Sequence, residues 1–280
     1  MFYLLKSFIQ MKILLDNNDL NEALYGVSNL GFVPTMGSLH KGHISLIKKS
    51  LKQCKKTIVS IFVNPTQFNN KRDYLSYPRN NKSDLYMLKK LGVSFVYIPN
   101  RKNVYNFKRK HKIKLKKKDK ILCAKFRKGH FEGVIDVMDR LTQLIKPKKI
   151  FMGEKDFQQI LLVKKFIEKK YHSKIVSCKT IRDKNKLALS SRNLLLKKTA
   201  QNKAGKIAKE IISFKVKIKK EKNINKILRI KEKELKKIFN IYIEYFELRN
   251  NKNLVKSKNT KNSKIFIAYY IDNIRLIDNF

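Results

Sequence analysis

The sequence predicts an α/β protein in which a doubly wound, parallel, Rossmann-like sheet domain is followed by a smaller α+β domain. Two observations carry this prediction. Up to about residue 178, short and nearly continuous apolar runs alternate with segments of helical periodicity, as is typical of parallel strands covered by helices on both faces. Beyond that point the chain changes to long, lysine-rich amphipathic segments. We therefore expect domains at residues 1–178 and 179–280.

The individual elements follow from these periodicities in chain order. Gly31–Val33 is an apolar strand before a Pro/Gly turn, Ile44–Cys54 has apolar residues at helical spacing, and Thr57–Val63 is rich in β-branched residues. The other strands of the first domain are expected at Val93–Ile98, Lys149–Met152 and Lys174–Cys178, with helices at Ser83–Leu91, Gly133–Ile145 and Asp156–Lys169. In the second domain we expect helices at Lys197–Lys219 and Ile224–Phe239, then strands at Ile241–Leu248 and Ile265–Ile271. Ligands of such sheets bind beyond the carboxyl ends of the strands, so residues that follow strands are the candidates for function.

Composition favours a cytoplasmic, soluble protein. The 280 residues, 42% of them hydrophobic, suffice for one large or two modest cores. Cys54, Cys123 and Cys178 are odd in number and far apart, which indicates neither a disulfide framework nor a metal motif and favours a reducing compartment. Lys6 and Lys12 interrupt the apolar start of the chain, and no run approaches the roughly 20 apolar residues of a membrane span. We expect no membrane partner.

The net charge of +45 raises the hypothesis of a nucleic-acid partner. However, the lysines are spread over nearly every segment together with Asn and Ile, all residues with codons rich in A and T, so base composition explains them without selection for binding. The densest run, Lys108–Lys120, contains the alternation Lys112–Lys116, which predicts a strand with one solvated face and lacks the aromatic residues of a stacking platform. We therefore expect no specific nucleic-acid partner.

The most informative segment is Val33-Pro34-Thr35-Met36-Gly37-Ser38-Leu39-His40-Lys41-Gly42-His43. A strand, a glycine-containing turn and a helix start present free backbone N–H groups and a positive dipole end to a phosphate. His40 and His43 share one side of the first helical turn, where both can donate hydrogen bonds to phosphate oxygens. A zinc pair, disfavoured because no Cys, Asp or Glu is nearby, and an ordinary helix cap are the alternatives.

Polar residues also follow the next strand. Pro65 ends that strand, so Asn64 and Gln67 lie at its carboxyl end, where amides that donate and accept suit a substrate with a hydroxyl and a carboxylate. A simple turn is the alternative. Farther on, Asp84 lies in the first turn of a helix, where an acidic residue ordinarily complements the helix dipole.

Two later segments repeat the same logic. Phe151-Met152-Gly153-Glu154-Lys155-Asp156-Phe157-Gln158-Gln159 again joins a strand to a helix through a turn, and Lys155 can reach phosphates as a mobile charge. In Leu189-Ser190-Ser191-Arg192-Asn193, hydroxyls beside a guanidinium can clamp phosphate oxygens, although the segment could equally cap a helix.

Taken together and in order, these segments resemble the pantothenate synthetase family of HxGH adenylating enzymes. The resemblance covers nearly the whole chain from about residue 31, including the final Arg275-Leu276-Ile277-Asp278-Asn279. It departs from the family at Leu122-Cys123-Ala124, ahead of Arg127-Lys128-Gly129-His130-Phe131, where Leu-Glu-Gly is usual, and at Lys186, where Gly is common. We expect both departures to affect loop closure and rate more than the type of reaction.

The resemblance implies an ATP-dependent ligase that condenses (R)-pantoate with β-alanine to pantothenate, a coenzyme A precursor, through pantoyl adenylate, releasing AMP and pyrophosphate. It implies a homodimer, Mg²⁺ as cofactor and a second domain that closes over ATP. The residues implied to be catalytic are His40, His43 and Lys155. Those implied to bind ATP are Met36, Gly37, Ser38, Leu39, His40, Lys41, Gly42, His43, Gly153, Glu154, Lys155, Asp156, Ile181, Leu189, Ser190, Ser191 and Arg192. Asn64, Gln67 and Gln159 are implied to bind pantoate and β-alanine, and Asp84 to hold the metal.

Two alternatives remain open at the level of the sequence. One is another HxGH nucleotidyltransferase, which would adenylate a nucleotide or a phosphopantetheine, release pyrophosphate without forming an amide, and not need the paired glutamines. The other is a basic nucleic-acid-binding or scaffold protein that kept the fold and lost the chemistry, against which the intact motifs argue.

Overall fold

The computed structural model describes residues 10–108, 112–221 and 223–280. Six parallel strands form the larger sheet, and three antiparallel strands form the smaller one. The strands of the larger sheet are β1 Lys12–Leu14, β2 Leu30–Thr35, β3 Lys56–Ile61, β4 Phe95–Tyr97, β5 Lys149–Gly153 and β6 Lys174–Cys178. Those of the smaller sheet are β7 Tyr242–Asn250, β8 Ser263–Ile271 and β9 Ile274–Asn279.

Helices flank both sheets. The α-helices are α1 Asn17–Leu24, α2 Lys41–Gln53, α3 Lys71–Leu75, α4 Asn81–Lys90, α5 Arg101–Val104, α6 Cys123–Phe126, α7 His130–Ile145, α8 Phe157–Tyr171, α9 Lys198–Lys217 and α10 Ile224–Phe239. Short 3₁₀ helices lie at Pro65–Gln67, Lys117–Asp119, Glu154–Asp156, Ser191–Leu195 and Ile218–Lys220. Within the described residues, no helix combines the length and apolar character that crossing a bilayer requires.

The central strands β2, β3, β4 and β5 are buried on both faces, which explains their nearly continuous apolar sequences. Phe32 of β2 packs with α1, α7 and α8 on one face, and its neighbour Val33 packs with α2 and α4 on the other. The same alternation holds for Ile150 and Phe151 of β5. These central strands therefore contribute to two hydrophobic layers, as a doubly wound sheet requires.

The order of the strands determines where a ligand can bind. The sheet runs β1-β4-β3-β2-β5-β6, so the chain moves in one direction from β2 to β4 and in the opposite direction from β5 to β6. The reversal falls between β2 and β5, which are paired in parallel at Gly31 with Lys149 and at Phe32 with Ile150. Crevices at such a switch point, beyond the carboxyl ends of the strands, are where open α/β sheets bind ligands.

The smaller sheet has helices on one side and the first core on the other. Ile243 and Phe246 of β7 pack in a hydrophobic cluster with α9 and α10. Tyr245 of β7 and Phe266 of β8 join the core of the larger sheet instead, and the ring of Phe266 lies 5.9 Å from that of Phe157 at the start of α8. The small sheet is therefore anchored directly above the end of β5.

The structure confirms the predicted fold class and most of the predicted elements, with boundaries shifted by a few residues. Sequence periodicity missed the strands β1 and β9 and the helices α1, α3, α5 and α6. The predicted strand Lys112–Lys116 was wrong: this segment has no regular secondary structure, although Leu115 is buried between exposed lysines, so the alternation in burial is real. A strand requires a pairing partner, and alternation alone does not supply one. Residues 109–111 of the Lys108–Lys120 run, and residues 1–9, lie outside the described residues.

Candidate active site

A large cleft opens at the switch point, between the carboxyl ends of the parallel strands and the smaller sheet. Most of the residues singled out from the sequence line it: Met36, His40, Gly42, His43, Asn64, Gln67, Gly153, Lys155, Asp156, Gln159, Ile181, Leu189, Ser190, Ser191 and Arg192. The remaining ones are not among the residues that line the cleft: Gly37, Ser38, Leu39, Lys41, Asp84 and Glu154. Segments that are more than 100 residues apart in the chain are therefore brought together.

The two histidines cap the start of α2 and line the cleft at the same time. Nδ1 of His40 accepts a hydrogen bond from the backbone N–H of Gly42 (3.1 Å), and Nδ1 of His43 accepts from the N–H of His40 (3.3 Å). Because each Nδ1 is an acceptor, the proton of the neutral ring is on Nε2. The capping alternative is thus confirmed, and it leaves both Nε2–H donors available for a ligand.

Gly42 is required by this arrangement. A Cβ atom at position 42 would lie 2.7 Å from the His40 ring. Any larger residue between the histidines would therefore displace the ring from its cap.

Both histidines are electrically neutral. Burial, followed by the charge of Lys155, lowers the pKa of His40 to about 4. Burial, His40 and then Lys155 lower the pKa of His43 to about 3. Positive charge at this end of the cleft therefore comes from Lys155, whose side chain is 18% exposed and lies 3.6 Å from Asp156.

Asp84 makes its contacts within the turn between β2 and α2. Its carboxylate is buried, and its two oxygens accept hydrogen bonds from the backbone N–H groups of Ser38 and Leu39, both at 2.8 Å. Asp84 is not among the residues that line the cleft. These contacts argue against a metal ligand at Asp84, because the carboxylate supports the turn between β2 and α2, where Ser38 has a left-handed φ of 52°.

Asn64 also supports its neighbours more than it faces the cleft. It is 1% exposed, and its Oδ1 accepts from the hydroxyls of Thr66 and Tyr105. Its amide donates to Oε1 of Gln67 and to the carbonyl of Gly133, each at 3.3 Å. Both amide protons are used within the protein, so these contacts give no support to direct substrate binding by Asn64, which stays a prediction. Its contacts hold Gln67.

Gln67 is also fixed through its backbone, by residues to which sequence reasoning assigned no role. The carbonyl oxygen of Gln67 accepts from Nδ1 of His130 at 2.6 Å, and Nε2 of His130 accepts from the Arg127 guanidinium at 2.9 Å. Burial and the charge of Arg127 lower the pKa of His130 to about 3, so this ring is neutral with its proton on Nδ1. At Gly133 a Cβ atom would lie 2.3 Å from the carbonyl of Thr66, so helix α7 packs directly on the turn that carries Gln67.

The third segment is held by the end of the chain. Lys155 lies in the 3₁₀ helix directly after β5, and the side-chain amide of Asn279 in β9 donates to the carbonyls of Glu154 (2.7 Å) and Lys155 (3.0 Å). Gln159 is partly buried on the first turn of α8 and lines the cleft. Its neighbour Gln158 donates to the carbonyl of Ile121 at 2.7 Å and so supports a loop.

The fourth segment, residues 189–193, contacts residues of the first domain. The hydroxyl of Ser190 caps a 3₁₀ helix by accepting from the N–H of Arg192, which confirms the capping alternative for this residue. The hydroxyl of Ser191 donates to the carbonyl of Ser38, and Nη2 of Arg192 donates to both carboxylate oxygens of Asp73 (2.8 and 3.1 Å). Both members of this ion pair are partly exposed, so it is weak enough to yield to a stronger anion.

The departures from the family pattern have visible local consequences. Lys186 adopts a φ of 71°, which explains why glycine is common there and costs a side-chain-bearing residue about 1 kcal/mol. Cys123 is buried in the lining of the cleft, with Sγ 3.0 Å from the hydroxyl of Tyr245 and 3.5 Å from Nη2 of Arg275. Over the described residues, no group of three or more His, Cys, Asp or Glu side chains is placed to hold a metal ion.

Comparison with known proteins agrees with this geometry. The turn between β2 and α2 has the geometry of a phosphate-binding turn and lies at the switch point of a doubly wound sheet. The turn after β5 brings the positive charge of Lys155 into the same cleft. Together these features define a nucleotide-binding α/β enzyme. The chain belongs to the pantoate–β-alanine ligase family, whose sequence model matches residues 12–280.

The relatives are similar over nearly their full length. The pantothenate synthetase of Azobacteroides pseudotrichonymphae is 40% identical over 259 residues, covering 90% of this chain and 91% of its own. The crystal structure of pantothenate synthetase from Thermus thermophilus has a TM-score of 0.90 at 28% identity and covers 96% of this chain and 99% of its own. The pantoate–β-alanine ligase of Francisella tularensis, solved with β-γ ATP and β-alanine, has a TM-score of 0.82 at 35% identity and covers 96% and 97%.

Proposed function

We propose that the chain joins pantoate to β-alanine at the expense of ATP, with pantoyl adenylate as the intermediate. The observation that carries this proposal is the pair of neutral Nε2–H donors at the start of α2, beside Lys155 and in the same cleft as Gln67 and Gln159. Membership of the pantoate–β-alanine ligase family supports the same reaction.

In the first step, a carboxylate oxygen of pantoate attacks the α-phosphorus of ATP, and the bond from that phosphorus to the bridging oxygen of pyrophosphate breaks. The substrate is its own nucleophile, so the protein needs to position the reactants and stabilise charge. His40 and His43 donate hydrogen bonds to phosphate oxygens as neutral groups, and Lys155 supplies the positive charge. Burial keeps both histidines uncharged, so they act as hydrogen-bond donors, as the sequence predicts.

In the second step, the amine of β-alanine attacks the acyl carbon of the adenylate, loses a proton and expels AMP. The amides of Gln67 and Gln159 orient pantoate, because each can donate to its carboxylate and accept from its hydroxyls. Asn64 and the pair Arg127 and His130 hold Gln67 in place. Exclusion of water protects the adenylate from hydrolysis.

Mg²⁺ fits this site as a partner of the nucleotide. Magnesium usually keeps several waters and binds through one or two carboxylates plus substrate phosphates. Asp156, partly exposed on the cleft, is the carboxylate that would contact it, since Asp84 is committed to the turn. When bound, the ion would neutralise phosphate charge.

We retain the predicted division into residues 1–178 and 179–280, with the second domain acting as a lid over ATP. The contacts of Ser191 with Ser38 and of Arg192 with Asp73 support this, because they bring the start of the second domain onto the phosphate turn. The ATP-binding residues are proposed to be 36–43, 153–156, Ile181 and 189–192.

The three free, buried thiols are consistent with a cytoplasmic location, and the family resemblance supports a homodimer. The proposal includes no nucleic-acid or membrane partner.

Product analysis tests the proposal. Purified protein with ATP, Mg²⁺, pantoate and β-alanine should form AMP, pyrophosphate and pantothenate in equal amounts, and omission of any substrate should abolish pantothenate. Formation of ADP and phosphate would contradict the adenylate route. Pyrophosphate release with a nucleotide or phosphopantetheine in place of pantoate, without amide formation, would favour another nucleotidyltransferase.

A further inference from the structure

Three arginines line the cleft, and they differ in how their charge is balanced. Arg192 is paired with Asp73, and Arg275 is paired with Glu244 through two nitrogens. Arg127 has no carboxylate within ion-pair distance among the described residues, and the residues outside the description include no Asp or Glu. Arg127 is therefore the one arginine of this lining whose charge the protein leaves unbalanced.

The guanidinium of Arg127 is nevertheless held in a fixed position. Nη1 bonds to Nε2 of His130 at 2.9 Å, and Nη2 donates to the carbonyl oxygen of Gln67 at 3.4 Å. Neither partner carries a negative charge, because His130 is a neutral acceptor and the other group is a backbone carbonyl. A guanidinium has five N–H donors, so several remain for a ligand.

Leaving this cation unpaired has an electrostatic cost. Burial, followed by the charges of Arg192 and Arg275, lowers the pKa of Arg127 to about 10. A bound anion would remove this cost, and a planar guanidinium matches the two oxygens of a carboxylate.

The proposed reaction brings three anionic groups into the cleft. The polyphosphate is matched by His40, His43 and Lys155. The carboxylate of pantoate has to face the α-phosphate, since it is the nucleophile. The carboxylate of β-alanine takes no part in the chemistry and lies two methylene groups from the attacking amine. Arg127 contacts the backbone of Gln67, the residue proposed to hold the acyl group, so it lies on the acid side of the cleft.

On the basis of the proposed function, we infer that Arg127 binds the carboxylate of the incoming β-amino acid. His130 is a positioning residue that fixes the orientation of the guanidinium. The subsite selects for an amine whose carboxylate lies two methylene groups from the nitrogen, in preference to simple alkyl amines.

The test compares two amines in two proteins. β-Alanine and its neutral amide, 3-aminopropanamide, are each supplied to the wild type and to R127Q, and kcat/KM is measured for both. The wild type should prefer β-alanine by about 30-fold or more, the range expected for a charge-assisted pair in a desolvated site. In R127Q the preference should fall to within about 3-fold, because the charged partner is gone.

The ratio separates binding from a structural role. If Arg127 only supported Gln67, its loss would slow both amines by the same factor and leave the preference at the wild-type value, which would overturn the inference. A raised KM for ATP with an unchanged amine preference would show that the anion is a phosphate, and would overturn it too. Should R127Q fail to fold, R127K keeps the charge without the planar fork and should show a reduced preference.

Two controls complete the design. K125Q removes one exposed positive charge from the same segment and should keep the full preference. Pantoate-dependent exchange of pyrophosphate into ATP is measured in the wild type. Absence of this exchange would overturn the proposed function and this inference with it, whereas exchange together with an unchanged preference in R127Q would overturn the inference alone.

Discussion

At the scale of single residues, the histidines of the cleft act as neutral hydrogen-bonding groups. His40 and His43 each use Nδ1 within the protein and keep a proton on Nε2. His130 has the opposite tautomer, because its Nδ1 donates to a carbonyl and its Nε2 accepts from a guanidinium. The backbone and side-chain partners, not the residue type, decide which nitrogen carries the proton.

Replacement of His43 by alanine should lower kcat/KM by about 10²-fold to 10³-fold, the scale for losing one donor to charge that develops in a transition state. It should also cost about 1 kcal/mol of stability, because a cap of α2 is lost. Rates are therefore compared at equal folded fraction, with the exposed His172 replaced by asparagine as the control. Wild-type rates in H43A would reduce the histidine pair to a structural cap.

The same residues make stability depend on pH. In the unfolded chain the histidines titrate near 6.5, whereas burial lowers the folded pKa of His40 to about 4 and those of His43 and His130 to about 3. Between these values the unfolded state binds more protons, so the free energy of unfolding falls as the pH drops below 6.5. Each histidine contributes up to about 1.4 kcal/mol per pH unit.

Urea denaturation at pH 7 and pH 5 measures this loss. H130Q should lose at least about 1 kcal/mol less than the wild type between the two pH values, since its side chain has no proton to gain. An identical loss in both proteins would mean that His130 is not held neutral by burial.

At the scale of elements, the turn between β2 and α2 depends on a carboxylate from α4. Both oxygens of Asp84 accept backbone N–H groups of the turn, so an acidic residue in a helical first turn serves a distant segment. The N–H groups of Ser38 and Leu39 are consequently occupied, and the donors that remain for phosphate are the histidine side chains and the start of α2.

Replacement of Asp84 by asparagine should destabilise the protein by about 1–3 kcal/mol and lower activity as well. An amide offers one oxygen, and its NH₂ group would face a backbone N–H. The matched control is D16N, because Asp16 caps α1 through one oxygen only and asparagine caps equally well. Unfolding midpoints and kcat/KM are measured for both, and equal stability of the two variants would contradict the role of Asp84.

The elements also show what a sequence can and cannot predict. The buried strands and amphipathic helices were predictable because each carries its periodicity locally. The three-residue edge strand β1 is too short to show any period, and β9 was missed although its residues had been singled out. The contact of His130 with Gln67 spans 63 positions in the chain, so no local pattern could assign a role to the segment that contains His130. Asn64 and Asp84 were found as candidates, but their assignment required the three-dimensional hydrogen bonds.

At the scale of the whole molecule, the two sheets share one core. Tyr245 and Phe266 of the small sheet pack into the interior of the large one, and Asn279 near the chain end holds the carbonyl of Lys155. The proposed lid therefore has a fixed inner edge along β9, and closure would have to move the 189–192 segment more than the sheet.

The charge of +45 is spread over the exposed lysines of every segment, which favours solubility and weak, salt-sensitive contacts with polyanions over a specific nucleic-acid site.

The central claim is that the carboxylate of pantoate attacks the α-phosphorus of ATP in this cleft. Pantoate labelled with ¹⁸O in its carboxylate tests this most directly, with the AMP and pantothenate analysed by mass spectrometry after complete turnover. We predict that each AMP gains one labelled oxygen, because the oxygen that attacked phosphorus leaves with AMP when the amide forms. Unlabelled AMP would contradict the claim, and so would label found in inorganic phosphate.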